Sequence, residues 1–569
     1  MTYAVDLKPL DLDLDLEELE RSLRPTPGER LARHREWLAR WLRRNWADLA
    51  VVAVLLVVAG VVHAVGMYRS PARFDDEGTY TAYAWAVQHT HRLGHYTYWY
   101  AHPPLGWMQL AAWNMLTDGF GRAPYAVAAA REFVFVCKLA SVALLYGLAL
   151  RLRMTRLFAA GAVLLFALSP LAVYFTRSAL LDNIVTPWLL AAFFLAAAPS
   201  RAMRAAAGSA ACFAVAVLTK ETALLFLPAL ALLFWQHADP RNRRFTIALF
   251  GSTLVLVGAL YPLYALVKSE LFAGPGHVSL QWAIRWQLFE RVGSGSIFDA
   301  TATAHRVVTT WLVLDPWLPM LALVLAVPGL LFRRTRAVAI AFTLQVLLLL
   351  RSGYLPYPFV IAMIPFAALT AAGVLDVVWQ WGRSLTGPPQ VRPHRTRARR
   401  AAGLAGRIAA QVSVAVVLSL FLSGARTSWY EGTKDLWQAD RDGGKAAALA
   451  WMRGNVDPDR RIVVDDSFWV DLVRAGHPAE RVIWFTKLDV DSDVQLPKRD
   501  AWRHIDYIAL DHQDELSLHL TLGGAPTGDT LRQFPTLGLA IGHSQVVAAF
   551  GSGGDRVVIR RVVPQVRIP

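Results

Sequence analysis

Three carboxylates stand side by side in Arg73-Phe-Asp75-Asp76-Glu77-Gly-Thr-Tyr80, just past an apolar run. Adjacent carboxylates repel one another, which raises the pKa of at least one, and a carboxyl with a raised pKa is a better general base. Most acidic triplets are merely solvated loop, so this one decides nothing by itself. Its neighbours change the weighing. Ala82–His91 is expected as a short amphipathic helix, and Gly94-His-Tyr-Thr-Tyr98-Trp99-Tyr100-Ala-His102-Pro-Pro-Leu105 follows it. Those aromatics suit the apolar C–H faces of a sugar, and an interfacial aromatic belt is their ordinary alternative. Ionisable groups recur where later apolar runs join: Arg177-Ser-Ala-Leu-Leu-Asp182, Thr219-Lys220-Glu221 and Arg351-Ser-Gly-Tyr354. Charges so near a bilayer are functional candidates by default, with local Lys220–Glu221 pairing as the plain alternative.

Acids from separate loops, several cations and a bank of aromatics fit glycosyl transfer from a lipid phosphate. An acceptor hydroxyl is a poor nucleophile until a base takes its proton. A departing polyprenyl phosphate needs positive charge near its oxygens.

The elements that must position these groups are membrane spans. Hydrophobic residues make up 55% of the 569 positions and charged residues 18%. The apolar residues gather in stretches of about twenty, the length needed to cross ~30 Å of hydrocarbon. The net charge of +15 sits in short clusters beside those stretches, as orienting charges do, rather than as a nucleic-acid patch. Two cysteines, Cys137 and Cys212, lie inside apolar runs and indicate neither a disulfide framework nor a thiolate metal site. Residues 1–45 are expected to be a cytoplasmic tail, with a disordered acidic segment and a basic interfacial helix over 29–45. The first span, about Leu49–Met67, reads as a retained signal anchor. Basic clusters at Arg151/Arg153/Arg156, Arg201/Arg204, Arg241/Arg243/Arg244, Arg333/Arg334/Arg336 and Arg392–Arg407 then mark the cytoplasmic returns. The expected fold is a polytopic α-helical membrane protein of about eleven spans over 46–425. Residues 426–569, where short β-rich runs alternate with helical ones, read as an α/β domain outside the plasma membrane.

Asp76-Glu77-Gly-Thr-Tyr80, His102-Pro-Pro-Leu105, Arg177-x4-Asp182 and Thr219-Lys220, in that order, resemble the GT-C glycosyltransferases. The branch they resemble holds the protein O-mannosyltransferases and the lipid A aminoarabinose transferases. The resemblance spans about residues 46–380, and the C-terminal part looks like the extension carried by many actinobacterial members. It implies Asp76 as the catalytic base with Glu77 beside it, Asp182 as a second acid, and Lys220 near the donor phosphate. The aminoarabinose transferases have Lys in place of His102 and Arg in place of Thr79. Donor phosphate binding is therefore spread over Arg73, His102, Lys220 and Arg351, while Tyr80, Tyr98, Trp99, Tyr100, Arg177 and Tyr354 are candidates for sugar and acceptor. The implied partners are a polyprenyl-phosphate sugar and an extracytoplasmic glycan, lipid or protein hydroxyl, with inversion at the anomeric carbon.

Three alternatives remain open from the residues alone. Asp75, Asp76 and Glu77 are hard oxygen ligands suited to a divalent cation such as Mg or Mn. His89, His91, His95 and His102 lack a zinc-ligand spacing. A transporter, with Lys138 lining a pathway, or a non-catalytic glycan-binding protein of the same fold are the competing functions.

Overall fold

The computed structural model describes residues 27–198, 203–385, 397–497, 499–521 and 524–563. The acidic segment before Pro27 and the start of the Pro/Arg-rich linker lie outside them. The expected interfacial helix and first span form a single helix, Pro27–Ala64. Residues up to Val54 belong to a separate unit, and the architecture below is that of the unit from Leu55 onward.

Five helices are long and apolar enough to cross a membrane: Arg35–Ala64, Ala126–Arg151, Arg243–Val267, Tyr357–Ser384 and a stretch within Ala401–Asn455. Two bent pairs raise that number to seven if each crosses as one span. These are Arg156–Leu168 with Pro170–Thr176, bent by 61°, and Thr303–Leu314 with Trp317–Leu331, bent by 103°. Proline sits at both breaks, since it cannot donate to the preceding turn. The bends are joined, because Ser169 Oγ donates to Asp315 at 2.5 Å while Asp315 also accepts from Trp317 N at 2.9 Å. Leu181–Ala196, Met203–Thr219, Glu221–His237 and Arg336–Leu349 are apolar but shorter. A count of eleven needs every one of these to cross; length and composition alone establish five to seven.

Tyr357–Ser384 is the most enclosed of the five, and its sequence explains why. Ala362, Ala367, Ala368, Ala371, Ala372 and Gly373 let neighbouring helices close on it. Gly329 packs against Thr370 and Val374 in the same way. Lys138 lies within Ala126–Arg151; its ammonium donates to Phe166 O at 3.0 Å and rests on the Phe166 ring. It ties two helices together.

Beyond the long helix Arg397–Gln438, the expected α/β alternation is present. A five-stranded sheet is ordered β2-β1-β3-β5-β4, with β1 at Ile462–Val464, β2 at Val482–Trp484, β3 at Tyr507–Asp511, β4 at Ser544–Phe550 and β5 at Val557–Val562. β1 runs parallel to β2 and β3, and β5 is antiparallel to β3 and β4. β1 is buried throughout, as a strand covered on both faces must be. The sequence missed β2, which is only three residues long, and β4, an edge strand whose faces are blurred by Gln545 and two alanines.

Candidate active site

The acids are not in a loop. A helix expected from Ala82 instead begins at Asp75 and ends at His89, so Asp75, Asp76 and Glu77 fill its first turn. Unpaired backbone N–H groups there favour negative charge. Glu77 Oε2 accepts from Phe74 N at 3.0 Å and closes the turn. Glu77 is fully buried, and Arg131 grips it with two hydrogen bonds of 2.8 and 2.6 Å. Its Oε1 also accepts from Ala179 N at 2.6 Å. Four donors therefore saturate Glu77, expected as a catalytic acid beside Asp76, and these bonds tie it to the start of the helix.

Asp76 has the opposite setting. Half-buried, its carboxylate makes no hydrogen bond to any described residue. Burial pushes its pKa above the ordinary value and Asp182 adds to that, while Lys220, His102 and Arg291 pull it back. Asp182 stands in the first turn of Leu181–Ala196, and its Oδ2 receives Lys220 Nζ at 2.7 Å. Lys220 occupies the break between Met203–Thr219 and the short helix Glu221–Phe226. His102 Nδ1 lies 2.9 Å from Glu221 rather than leaving Glu221 to pair with Lys220. The Tyr80 ring sits 6.4 Å from that of His102 and stacks on Trp107. Sequence reading missed Arg291, whose guanidinium lies 3.4 Å over the Tyr354 ring. Its segment is held to the Tyr354 turn by Ser294 N donating to Gly353 O and Leu355 N donating to Ser294 Oγ. The residues brought together are thus Asp76, Tyr80, His102, Asp182, Lys220, Arg291 and Tyr354.

Others on the expected list lie elsewhere. Arg73 is fully buried, bonded to Asp442 at 2.9 Å and roofed by Tyr125 and Phe468, so it is not held toward a donor. Arg177 spends its guanidinium on four backbone carbonyls, of Val62, Val65, Ser70 and Leu436. Arg351 is exposed in its bend. Tyr98 donates to His102 O and Tyr100 to Glu270, within a packed cluster with Tyr261, Ala265 and Leu280. Trp99 Nε1 donates to Asp491 at 3.1 Å, with Lys487 over its ring. All three, candidates for sugar contact, bond to other parts of the chain.

What holds the aromatic loop is the C-terminal sheet. Tyr96 OH donates to Val482 O and accepts from Trp484 N, Thr97 bonds Asp491, and His95 Nε2 lies 2.8 Å from Asp466. The acid-bearing helix is gripped as well: Asp466 N donates to Asp75 at 2.9 Å, and a Cβ on Gly78 would collide with the backbone of Asp466 and Ser467. Behind this contact, oxygens of Asp465, Asp511 and Asp514 lie within 4.8 Å of one another. Among the described residues this group, rather than Asp75, Asp76 and Glu77, is the one with metal-ligand spacing. Lys445 already stands in it, ion-paired to Asp465 and, at 2.9 Å, to Asp511. Burial, with Asp511 and Asp465, lifts the Asp514 carboxyl well above its ordinary range. With a proton on Asp514, the Lys445 ammonium offsets one of the two remaining carboxylates, which leaves one negative charge in the cluster.

Residues 102–264 match the model of the dolichyl-phosphate-mannose-protein mannosyltransferase family. That segment includes His102, Asp182 and Lys220 but not Asp76. The crystal structure of ArnT from Cupriavidus metallidurans bound to undecaprenyl phosphate is similar, with 17% identity and a TM-score of 0.53 over 92% of this chain and 99% of that one. The Archaeoglobus fulgidus oligosaccharyltransferase in its apo form follows with 12% identity and a TM-score of 0.51, over 90% of this chain and 75% of that one. No curated protein matches the sequence. The fold is that of the GT-C glycosyltransferases, the class the motifs resemble.

Proposed function

We propose that the chain is a membrane glycosyltransferase that moves a sugar from a polyprenyl-phosphate donor to an acceptor hydroxyl, with inversion. The observation that carries this is Asp76: a half-buried carboxylate with no hydrogen-bond partner, its pKa raised, faced by Lys220, His102 and Arg291. In the proposed step Asp76 takes the proton of the acceptor hydroxyl. The acceptor oxygen forms a bond to the anomeric carbon, and the bond from that carbon to the phosphate oxygen breaks. The electron pair leaves with the polyprenyl phosphate, whose charge Lys220 and Arg291 offset. Asp182 holds Lys220 in place, and Tyr80 and Tyr354 flank the sugar.

The likeness to a structure bound to undecaprenyl phosphate supports a donor of that chemical class. Asp76 and the C-terminal sheet then belong on the extracytoplasmic face, with the N-terminus cytoplasmic, eleven spans over 46–425 and a separate α/β domain over 426–569. The acceptor is a cell-envelope glycan, lipid or protein.

The test is transfer by purified, lipid-reconstituted protein, offered a panel of polyprenyl-phosphate sugars with a cell-envelope extract. Label should pass from one donor into product and be lost in Asp76→Asn. Full transfer by a folded Asp76→Asn protein would sink the assignment of the base. A folded wild type that uses no donor would sink the reading altogether.

A further inference from the structure

A cavity of about 450 Å³ lies at the far end of the acid-bearing helix, between its last turn, the helix Leu105–Thr117 and Arg474 of the C-terminal part. Thirteen residues separate Asp76 from His89, which places the cavity ~20 Å along the helix from the proposed base. Its wall is aromatic on one side. Trp85 and His89 stack with ring centres 4.2 Å apart, and Phe120 approaches His89 at 6.5 Å. Trp85 is braced edge-on by Trp469, and His89 Nδ1 by Trp85 O at 3.0 Å, so the platform is rigid.

The other side carries an unpaid polar group. Asn114, only 2% exposed, lines the cavity with its Oδ1 turned against Gly119, and neither Oδ1 nor Nδ2 has a hydrogen-bond partner among the described residues. A buried amide in that state is destabilising unless something completes it. Gln88 spends its Nε2 on Ala111 O at 2.7 Å and keeps its Oε1 available. Amide groups that offer both a donor and acceptors, beside flat apolar rings, match a polyhydroxylated neutral ring. An anion is a poor match. Arg474 already lies 3.4 Å from Asp471, and Asp118 puts a carboxylate on the rim.

We infer that this cavity binds one neutral sugar unit of an extended glycan, several units away from the unit that reacts at Asp76. This rests on the proposed transfer only for the claim that the glycan is the acceptor. Binding is therefore measured first without donor, on full-length protein in nanodiscs, by saturation-transfer NMR with neutral mannose, arabinose and galactose oligomers, long and single-unit. A long oligomer should bind, and His89→Ala and Asn114→Ala should each weaken it about ten-fold. With donor present, the same variants should raise KM for the long acceptor and leave kcat, and KM for a single-unit acceptor, unchanged. His89 is exposed, so its variant keeps the fold, and Met115→Trp, which fills the cavity, is a further check should Asn114→Ala misfold. Equal binding by wild type and variants, no oligomer bound, or displacement of the oligomer by inorganic phosphate or anionic vesicles would overturn the inference. Binding without any transfer would sink the proposed activity and leave this site standing.

Discussion

Asp76 and Glu77 are neighbours in sequence, yet their surroundings predict opposite responses to losing a charge. Glu77→Gln keeps the shape of the side chain but leaves the buried Arg131 guanidinium without its counter-charge. It also turns an amide N–H toward donors that include Arg131, Phe74 N and Ala179 N. Breaking a buried pair by removing one partner costs ~3–5 kcal/mol, because the other charge stays buried and unpaired. The loss should appear as a clear fall in the melting temperature of the detergent-solubilised protein. Glu77→Leu combined with Arg131→Met should recover part of it, since the stranded charge is gone. Recovery stays incomplete, because the carbonyls of Met67, Pro71 and Ala72 lose their donor. Asp76→Asn should behave in the reverse sense. Burial and Asp182 raise its folded pKa above the unfolded value, so the folded protein binds that proton more tightly than the unfolded chain does. Ionised Asp76 therefore lowers stability as pH rises through that window, and the asparagine variant should melt no lower than wild type. Its turnover should fall by about 10²–10⁴, the usual contribution of a general base. A Glu77→Gln protein with unchanged melting and the activity of Asp76→Asn would refute this division of roles.

The acidic limb of the pH–rate profile should lie above the ordinary aspartate value of ~3.9, because falling pH protonates Asp76 at its raised pKa and stops proton abstraction. Asp182→Asn, which removes a like charge, should move that limb to lower pH; Lys220→Met, which removes an opposite one, should move it higher. Gly78→Val should loosen the C-terminal sheet from the acid-bearing helix, seen as faster proteolytic release of the fragment from about Gly443 onward with a lower melting temperature. Exhaustive chelation should leave both transfer and melting unchanged, since the Lys445 ammonium already occupies the aspartate cluster; loss of either on chelation would argue for a bound divalent cation.

The parts of the molecule legible in sequence are those set by local pattern. Apolar runs of span length, and strands at 461–465, 506–510 and 557–563, reappear as helices and as β1, β3 and β5. Asp182, Lys220 and His102 were found because a charge beside an apolar run is costly and therefore conspicuous. The partners of these groups were not legible, since each is chosen across a long stretch of chain. Arg131 is a signal that was there to use: an arginine near the start of a span, at 1% exposure, must have an acid partner. Arg291 left no comparable trace, standing in an ordinary loop between Glu290 and Val292. The packing of the aromatic loop was not legible for a physical reason. Tyrosine and tryptophan serve equally as sugar platforms and as packing surface with a polar tip, and only the position of the C-terminal sheet decides which.

That sheet bears on the chemistry more directly than its sequence distance suggests. The turn after β1 supplies Asp466, whose N–H takes one Asp75 oxygen, and the absence of a side chain on Gly78 lets this turn meet the helix backbone to backbone. Asp442 and Asp471 hold Arg73 just before the helix starts, and Asp471 also accepts from Ala126 N at the start of the span that carries Arg131. The first helical turn is therefore fixed on one side by Arg131 from the membrane part and on the other by the α/β part. Asp76 lies between Glu77, which four donors saturate, and Asp75, which accepts one bond from Asp466 N, and among the described residues it alone of the three acids has no hydrogen-bond partner. A base must be both rigid and unbonded, two conditions that ordinarily conflict in a polar side chain. For Asp76 as the proposed base, the bonds made by Glu77 and Asp75 fix the helical turn while its own carboxylate stays unbonded among the described residues.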